Sequence, residues 1–275
     1  MKGALMKKEP FSYKPIRSAI LLLFLLFFIQ TIYAATAREK FVKSISFMPG
    51  GFLSLSNTNG NVQVSSWESS EVEIIAYKEV KAADDETAEK MLKKLLIDVR
   101  EREGEIIIET DYPKGSGGGS FFSWLFGGDG KSFSVQYEIK VPHQIDLNLS
   151  TTNGNVEVEE IIGKLRLEST NGRISADKIS GLTRCHTTNG SIDIEFREIL
   201  GDEKMSFKST NGSIKLYLPG DFSGDVDLKT TNGRITCDFP LQGRQSRTHV
   251  SGEIGNRHQE LSCRTTNGNI GLYKR

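Results

Sequence analysis

The acidic residues offer the most direct route to chemistry in this sequence. A carboxylate or tyrosine recurs six positions after a series of asparagines, at Glu159, Asp177, Glu195, Tyr217 and Asp238, with Glu157 and Asp193 two positions earlier. Carboxylates repeated along one strip can serve as a general acid and base, because a neighbouring like charge raises the pKa of one of them. That chemistry suits polysaccharide cleavage, with Glu159, Asp177, Asp193 and Glu195 as the candidate groups. The same oxygens in adjacent turns could hold calcium weakly. Charged outer faces are usually only solvated, however, and the pattern implies no deep cleft. The four histidines, His143, His186, His249 and His258, are scattered. His-Glu-x-x-His, Gly-x-Ser-x-Gly, phosphate-loop and Cys-x-x-Cys patterns are all absent. The expectation is therefore a non-catalytic protein with no cofactor and no metal, and a glycan-active enzyme is the alternative.

The elements that would position these residues are organised by a repeat. Thr-Asn-Gly occurs seven times, with its turn residues at Asn59-Gly60, Asn153-Gly154, Asn171-Gly172, Asn189-Gly190, Asn211-Gly212, Asn232-Gly233 and Asn267-Gly268. From the second copy the spacings are 18, 18, 22, 21 and 35 residues. The last interval is long enough for two turns, and Ser251-Gly252 followed by Ile254 reads as a degenerate copy within it.

Four residues before each Asn stand Leu55, Leu149, Leu167, Cys185, Phe207, Leu228 and Cys263; three after stand Val62, Val156, Ile174, Ile192, Ile214, Ile235 and Ile270. Alternate positions are apolar on both sides of the turn, as half-buried strands require. Asn-Gly between such runs signals residues needing positive φ. A period of about 20 residues with apolar positions in fixed columns predicts stacked coils, an all-β solenoid. A sandwich of antiparallel hairpins is the structural alternative.

Register decides several smaller questions. Cys185 and Cys263 share a column four rungs apart, roughly 19 Å at the strand spacing, beyond the reach of a disulfide. With Cys237 they read as small buried hydrophobes. Outward positions before the turn are largely basic (Arg166, Arg184, Lys208, Lys229 and Arg264), so the turn column divides an acidic strip from a basic one. Stacked asparagines are expected to bond one another, as polar ladders do. The threonine array reads as irregular, because rung length varies and Ser169 and Ser209 replace the first Thr.

Residues 1–37 differ from the rest. Lys2, Lys7, Lys8, Lys14 and Arg17 precede the apolar run Ala19 to Ile29, and Tyr33-Ala34-Ala35-Thr36-Ala37 follows. These are the parts of a secretory signal peptide, or of an uncleaved anchor, and they predict an exported protein of the periplasm, cell surface or extracellular space. Without them the chain carries 30 Lys+Arg against 34 Asp+Glu, a net charge of −4, which disfavours nucleic acid. Residues 38–112 form an N-terminal β region with one short amphipathic helix near 84–99, whose apolar face is Ala88, Met91, Leu92, Leu95 and Val99. It is capped by Asp84 or Asp85 and lies across one end of the core. Residues 113–132 are a Gly-rich aromatic loop. Within it Phe121, Phe122, Trp124 and Phe126 either fold back over the solenoid end or the helix, or are a candidate binding loop for a membrane or an envelope component. Residues 133–275 hold the repeats, and Lys274-Arg275 at their end would discourage edge-to-edge stacking.

The sequence resembles the bacterial DUF4097 family of β-strand-repeat proteins, which carry the label of adhesins. The matching stretches are Pro49-Gly50-Gly51 with Asn59-Gly60-Asn61-Val62 and Trp67, then YEIKVPHQIDLNLSTTNGNVEV, LYLPGDFSGDVDLKTTNGRITCDFP and LSCRTTNGNI. The resemblance spans nearly all the chain after residue 37. It implies a right-handed β-helix-like fold at the cell envelope and supplies no catalytic residues.

Overall fold

The computed structural model describes residues 35–113, 131–256 and 259–275. Its period-two stretches form strands β1 (Ala35–Ser46), β2 (Phe52–Ser56), β3 (Val62–Trp67) and β4 (Glu71–Ala82), followed by helix α1 (Asp85–Leu92). Next come β5 (Leu96–Arg102), β6 (Glu105–Asp111) and β7 (Ser132–Pro142). The repeats then give β8 (Asp146–Asn153) with β9 (Val156–Glu159), β10 (Leu165–Asn171) with β11 (Ile174–Ser180), and β12 (Thr183–Asn189) with β13 (Ile192–Glu198). They continue as β14 (Met205–Asn211) with β15 (Ile214–Leu218), and β16 (Gly224–Asn232) with β17 (Ile235–Cys237). A hairpin, β18 (Gln242–Gln245) and β19 (His249–Ile254), precedes the final pair, β20 (Glu260–Asn267) and β21 (Ile270–Lys274).

The strands form two sheets. Sheet A runs β1-β4-β7-β3-β9-β11-β13-β15-β21-β17, and sheet B runs β18-β19-β16-β20-β14-β12-β10-β8-β2-β6-β5. Each Asn-Gly carries the chain from sheet B to sheet A, and a return turn carries it back. The repeat strands pair in parallel with corner Asn opposite corner Asn. That is the expected solenoid rather than a sandwich of hairpins. Antiparallel pairs occur at the two ends, in β1–β4, β4–β7, β5–β6, β16–β19 and β18–β19. Between the sheets the predicted columns are buried: Leu55, Leu149, Leu167, Cys185, Phe207, Cys263 and Leu228 on one side, Val62, Val156, Ile174, Ile192, Ile214, Ile270 and Ile235 on the other. Each fully buried Leu or Ile contributes about 1.5–3 kcal/mol, so these columns are the main source of stability.

The spatial order of rungs departs from chain order at both ends. Along the corner the asparagines run 59, 153, 171, 189, 211, 267, 232. The chain skips a slot between β15 and β16, and β20 and β21 later fill it. At the other end β6 and β7 pair outside β2 and β3, so β2 and β3 are likewise enclosed by strands made later.

This order corrects several expectations. Ser251-Gly252 is not a degenerate turn: β19 runs antiparallel to β16, with Gly252 opposite Val226 and Gly243. An antiparallel strand has the same period of two, so alternation alone could not separate the two readings. Cys263 lies two strands from Cys185, with Phe207 between, which is about 10 Å rather than 19. The cysteines are nonetheless free, and burial pushes the Cys185 and Cys263 thiols up. β21 is interior, flanked by β15 and β17, so Lys274 and Arg275 guard no edge; the edge strand there is the three-residue β17. The helix is also shorter than expected. Asp84 caps it, accepting from the Thr87 amide at 2.8 Å, but it stops at Lys93. Val99 belongs to β5, opposite Ile108. α1 packs on β1 and β4 at the N-terminal end of sheet A.

The N-terminal segment up to residue 34, and Phe121, Phe122, Trp124 and Phe126, lie outside the described residues. Ala35, Thr36 and Ala37 are already part of β1, opposite Ala82, Lys81 and Val80.

Candidate functional site

The corner between the sheets is the most regular feature of the molecule. Asn153 Nδ2 donates to Asn59 Oδ1 at 2.7 Å, Asn171 to Asn153 at 2.7 Å and Asn189 to Asn171 at 2.7 Å. Asn211 donates to Asn189, Asn267 to Asn211 and Asn232 to Asn267, each at 2.8 Å. All seven predicted turn asparagines thus join one continuous amide ladder, as stacked asparagines were expected to do.

The glycines serve a different purpose from the one expected. Of the seven, only Gly60 has positive φ, at 121°. The others are glycine because the neighbouring rung lies against them. A Cβ on Gly154, Gly172, Gly190, Gly212, Gly268 or Gly233 would overlap the carbonyl oxygen of the adjacent corner glycine.

A second ladder was missed in the sequence. Two residues before each later Asn stands a buried hydroxyl: Thr151, Ser169, Thr187, Ser209, Thr265 and Thr230. Ser169 donates to the Gly154 carbonyl at 2.9 Å, Thr187 to Gly172 at 3.0 Å, Ser209 to Gly190 at 2.9 Å, and Thr265 and Thr230 to Gly212 and Gly268 at 2.8 Å. The signal was that this position is always Ser or Thr after the first copy; the substitution read as irregularity is a conservative one between hydroxyls. The corner is therefore in register along its length, and the variation in rung length falls in the return turns.

The first copy has Asn57 at the hydroxyl position, and it caps the ladder. Asn57 Nδ2 donates to the Val135 carbonyl at 2.8 Å, and its Oδ1 accepts from Tyr112 OH at 2.8 Å and Thr110 Oγ1 at 3.1 Å. Asn59 Nδ2 reaches the Phe133 carbonyl at 3.1 Å. Burial pushes the Tyr112 hydroxyl up to about 12, so it stays a neutral donor at ordinary pH. β6 and β7 pair with β2 and β3, and the stretch holding the four aromatics falls between them in sequence, outside the described residues.

The two outer faces differ in charge near the corner. On sheet A, Ser175 stands between Glu157 and Asp193, and Glu159 stands beside Asp177. Glu195 neighbours Tyr217, which stacks on Tyr273 with centroids 5.2 Å apart. The four candidate carboxylates thus share one face. Asp177 is met by Lys178 Nζ at 3.7 Å and Glu195 by Arg275 Nε at 3.0 Å. Lys178 also bridges to Glu160 at 3.3 Å, and both of these residues adopt left-handed backbone. Cations between carboxylates work against the like-charge coupling that an acid–base pair requires. Among the described residues no group of three or more His, Cys, Asp or Glu side chains is placed to hold a metal.

On sheet B the expected basic strip divides into two columns. Arg166 and Arg184 are neighbours in one, and Lys208, Arg264 and Lys229 are neighbours in the other. A groove of about 290 Å³ lies near the return turns, with Lys164, Arg166, Arg184, Glu203 and Phe52 in its wall. Another, of about 410 Å³, lies at the corner around Lys229, Thr231, His249 and Arg264.

Comparison with known proteins gives one family and several distant folds. The family model described as Toastrack DUF4097 matches residues 52–273. No curated protein matches the chain. Among solved structures, the chain is similar to a "putative cell adhesion protein" of Clostridium sporogenes, at 11% identity and TM-score 0.43, covering 87% of this chain and 100% of that one. It is also similar to a "putative adhesin" of Bacteroides fragilis, at 10% identity and TM-score 0.29, covering 85% and 97%. A "putative adhesin" of Parabacteroides merdae matches at 11% identity and TM-score 0.26, covering 85% and 96%.

Proposed function

The chain belongs to the Toastrack DUF4097 family, and from that premise we propose that it is an exported, non-catalytic β-solenoid with a structural or binding role at the cell envelope. The observation that supports this reading is the continuous corner ladder. Seven asparagines bonded in series, with glycines in carbonyl contact below them, make an inflexible rod. Its outer faces beside the corner carry different charge, while its candidate carboxylates are interleaved with cations. Such a body presents surfaces rather than a reaction centre.

The basic and apolar stretch within residues 1–37 supports export. The aromatic segment supports contact with an envelope or membrane component, because Phe121, Phe122, Trp124 and Phe126 are concentrated in a glycine-rich stretch. Fractionation of tagged full-length chain and of a variant lacking residues 115–130 tests the reading. The full-length chain should enter the envelope fraction, and the deletion should weaken that association without lowering thermal stability. Recovery of the full-length chain with the soluble intracellular proteins would overturn it.

A further inference from the structure

One line of side chains on sheet B takes no part in the corner. Three residues before successive corner asparagines stand Glu168, His186, Lys208, Arg264 and Lys229, on the neighbouring strands β10, β12, β14, β20 and β16. His249 of β19 stands opposite Lys229 and extends the line. Lys208, Arg264 and Lys229 are consecutive, one per strand and about 4.8 Å apart. Chain order hides this succession, which exists only because β20 fills the slot between β14 and β16.

A second outward column runs beside it. Thr188, Thr210, Thr266 and Thr231, one residue before the corner Asn, are exposed or half-exposed along the same strands. The groove of about 410 Å³ lies where the two columns meet at the last rungs.

The charge of the line is positive. Asp227 is the carboxylate set among its cations, with Arg264 Nη2 at 2.8 Å and Lys229 Nζ and His249 Nε2 at 3.2 Å. Glu168, at the far end, is held by Arg166 at 2.8 Å. Lys208, in the middle, has no carboxylate within ion-pair distance among the described residues. The three cations therefore face one nearby carboxylate.

We propose that this line binds a linear acidic polysaccharide laid along the solenoid axis, with its carboxylates on Lys208, Arg264 and Lys229 and its hydroxyls on the threonine column. The inference rests on the binding role argued above and names its surface and ligand class. Strand spacing is close to the length of one sugar in an extended glycan, so a chain with a carboxylate on every sugar keeps its acidic groups within reach of the long Lys and Arg side chains along the line. Threonine hydroxyls beside cations suit a polyol acid. A single-stranded nucleic acid would want aromatic side chains between the cations for base stacking, and these two columns hold none.

The test uses the full chain and fluorescent polygalacturonate oligomers of increasing length, with neutral dextran and single-stranded DNA as comparison polymers. Affinity for polygalacturonate should rise with length up to about four sugars, one per strand spacing, then level off, and should fall with added salt. Lys208→Gln breaks no ion pair and should weaken binding about fivefold, the upper range for an exposed charge pair, and Lys229→Gln should weaken it further. Lys90→Gln, on the exposed face of α1, should change nothing. Equal loss in the Lys90 and Lys208 variants, length-independent affinity, or equal binding of dextran or DNA would overturn the proposal. If polygalacturonate fails to bind while the chain still fractionates with the envelope, the polysaccharide surface fails and the broader role stands. If the chain is absent from the envelope as well, both fail.

Discussion

Thr183 carries a hydroxyl in a core column otherwise made of Leu53, Leu147, Leu165, Met205, Leu261 and Val226, all buried. Its Oγ1 is buried without a hydrogen-bond partner among the described residues, and an unpaired buried hydroxyl costs about 1–3 kcal/mol. Thr183→Val keeps the shape and removes that cost. It should stabilise the protein by about 1 kcal/mol, raising Tm by roughly 2–4 °C for a chain of this size. A lowered Tm in thermal melts would show that the hydroxyl is satisfied. Glycine at the corner makes the opposite kind of demand. Gly190→Ala drives a Cβ into the Gly172 carbonyl, whereas Gly104, at φ 71°, has nothing within 4 Å of its would-be Cβ. Gly190→Ala should therefore cost about 3 kcal/mol or more, since neighbouring backbone must move. Gly104→Ala should cost about 1 kcal/mol, from backbone strain alone. Equal losses in urea titrations would mean that φ, and not the approach of the next rung, selects glycine at the corner.

The ladder as an element makes its own prediction. An interior member such as Asn189 donates one bond and accepts another, while Asn232 at the end donates to Asn267 alone. At about 0.5–1.5 kcal/mol for each bond, Asn189→Ala should cost about twice as much as Asn232→Ala in chemical denaturation. Equal costs would mean that the amides bond water as readily as one another. The ladder and the core columns were legible because every copy presents the same residue types at the same offsets, so register could be read without knowing the order of rungs. What was not legible involved elements that share a period. β19 alternates as a solenoid strand does, so Ser251-Gly252 passed for a turn; only its pairing with β16 shows the direction. Val99 falls at helical spacing from Leu92 and Leu95, yet its alternation serves β5. The acidic candidates share one face, but their interleaving with Lys178 and Arg275 depends on a left-handed residue at 178 and on where the last strand lies. The sequence pattern encodes neither.

At the scale of the molecule, the order of rungs matters for how the rod resists fraying. In a simple solenoid each rung touches only its neighbours, and the terminal rungs open first. Here the last strands made, β20 and β21, lie between β14 and β16 and between β15 and β17. The C-terminal residues are therefore enclosed on both sides, and releasing them requires breaking two strand interfaces in each sheet. The end of sheet B is left to β18, whose four residues are all exposed. Amide exchange measures the consequence. Leu261 and Cys263 should exchange nearly as slowly as Cys185 in the middle of the stack, and Arg244 and Gln245 should exchange far sooner. If β20 instead exchanges together with β18, enclosure confers no protection and the rod opens from its C-terminal end. The same exchange would then uncouple Arg264 from Lys208 and Lys229, because their alignment depends on β20 holding its slot.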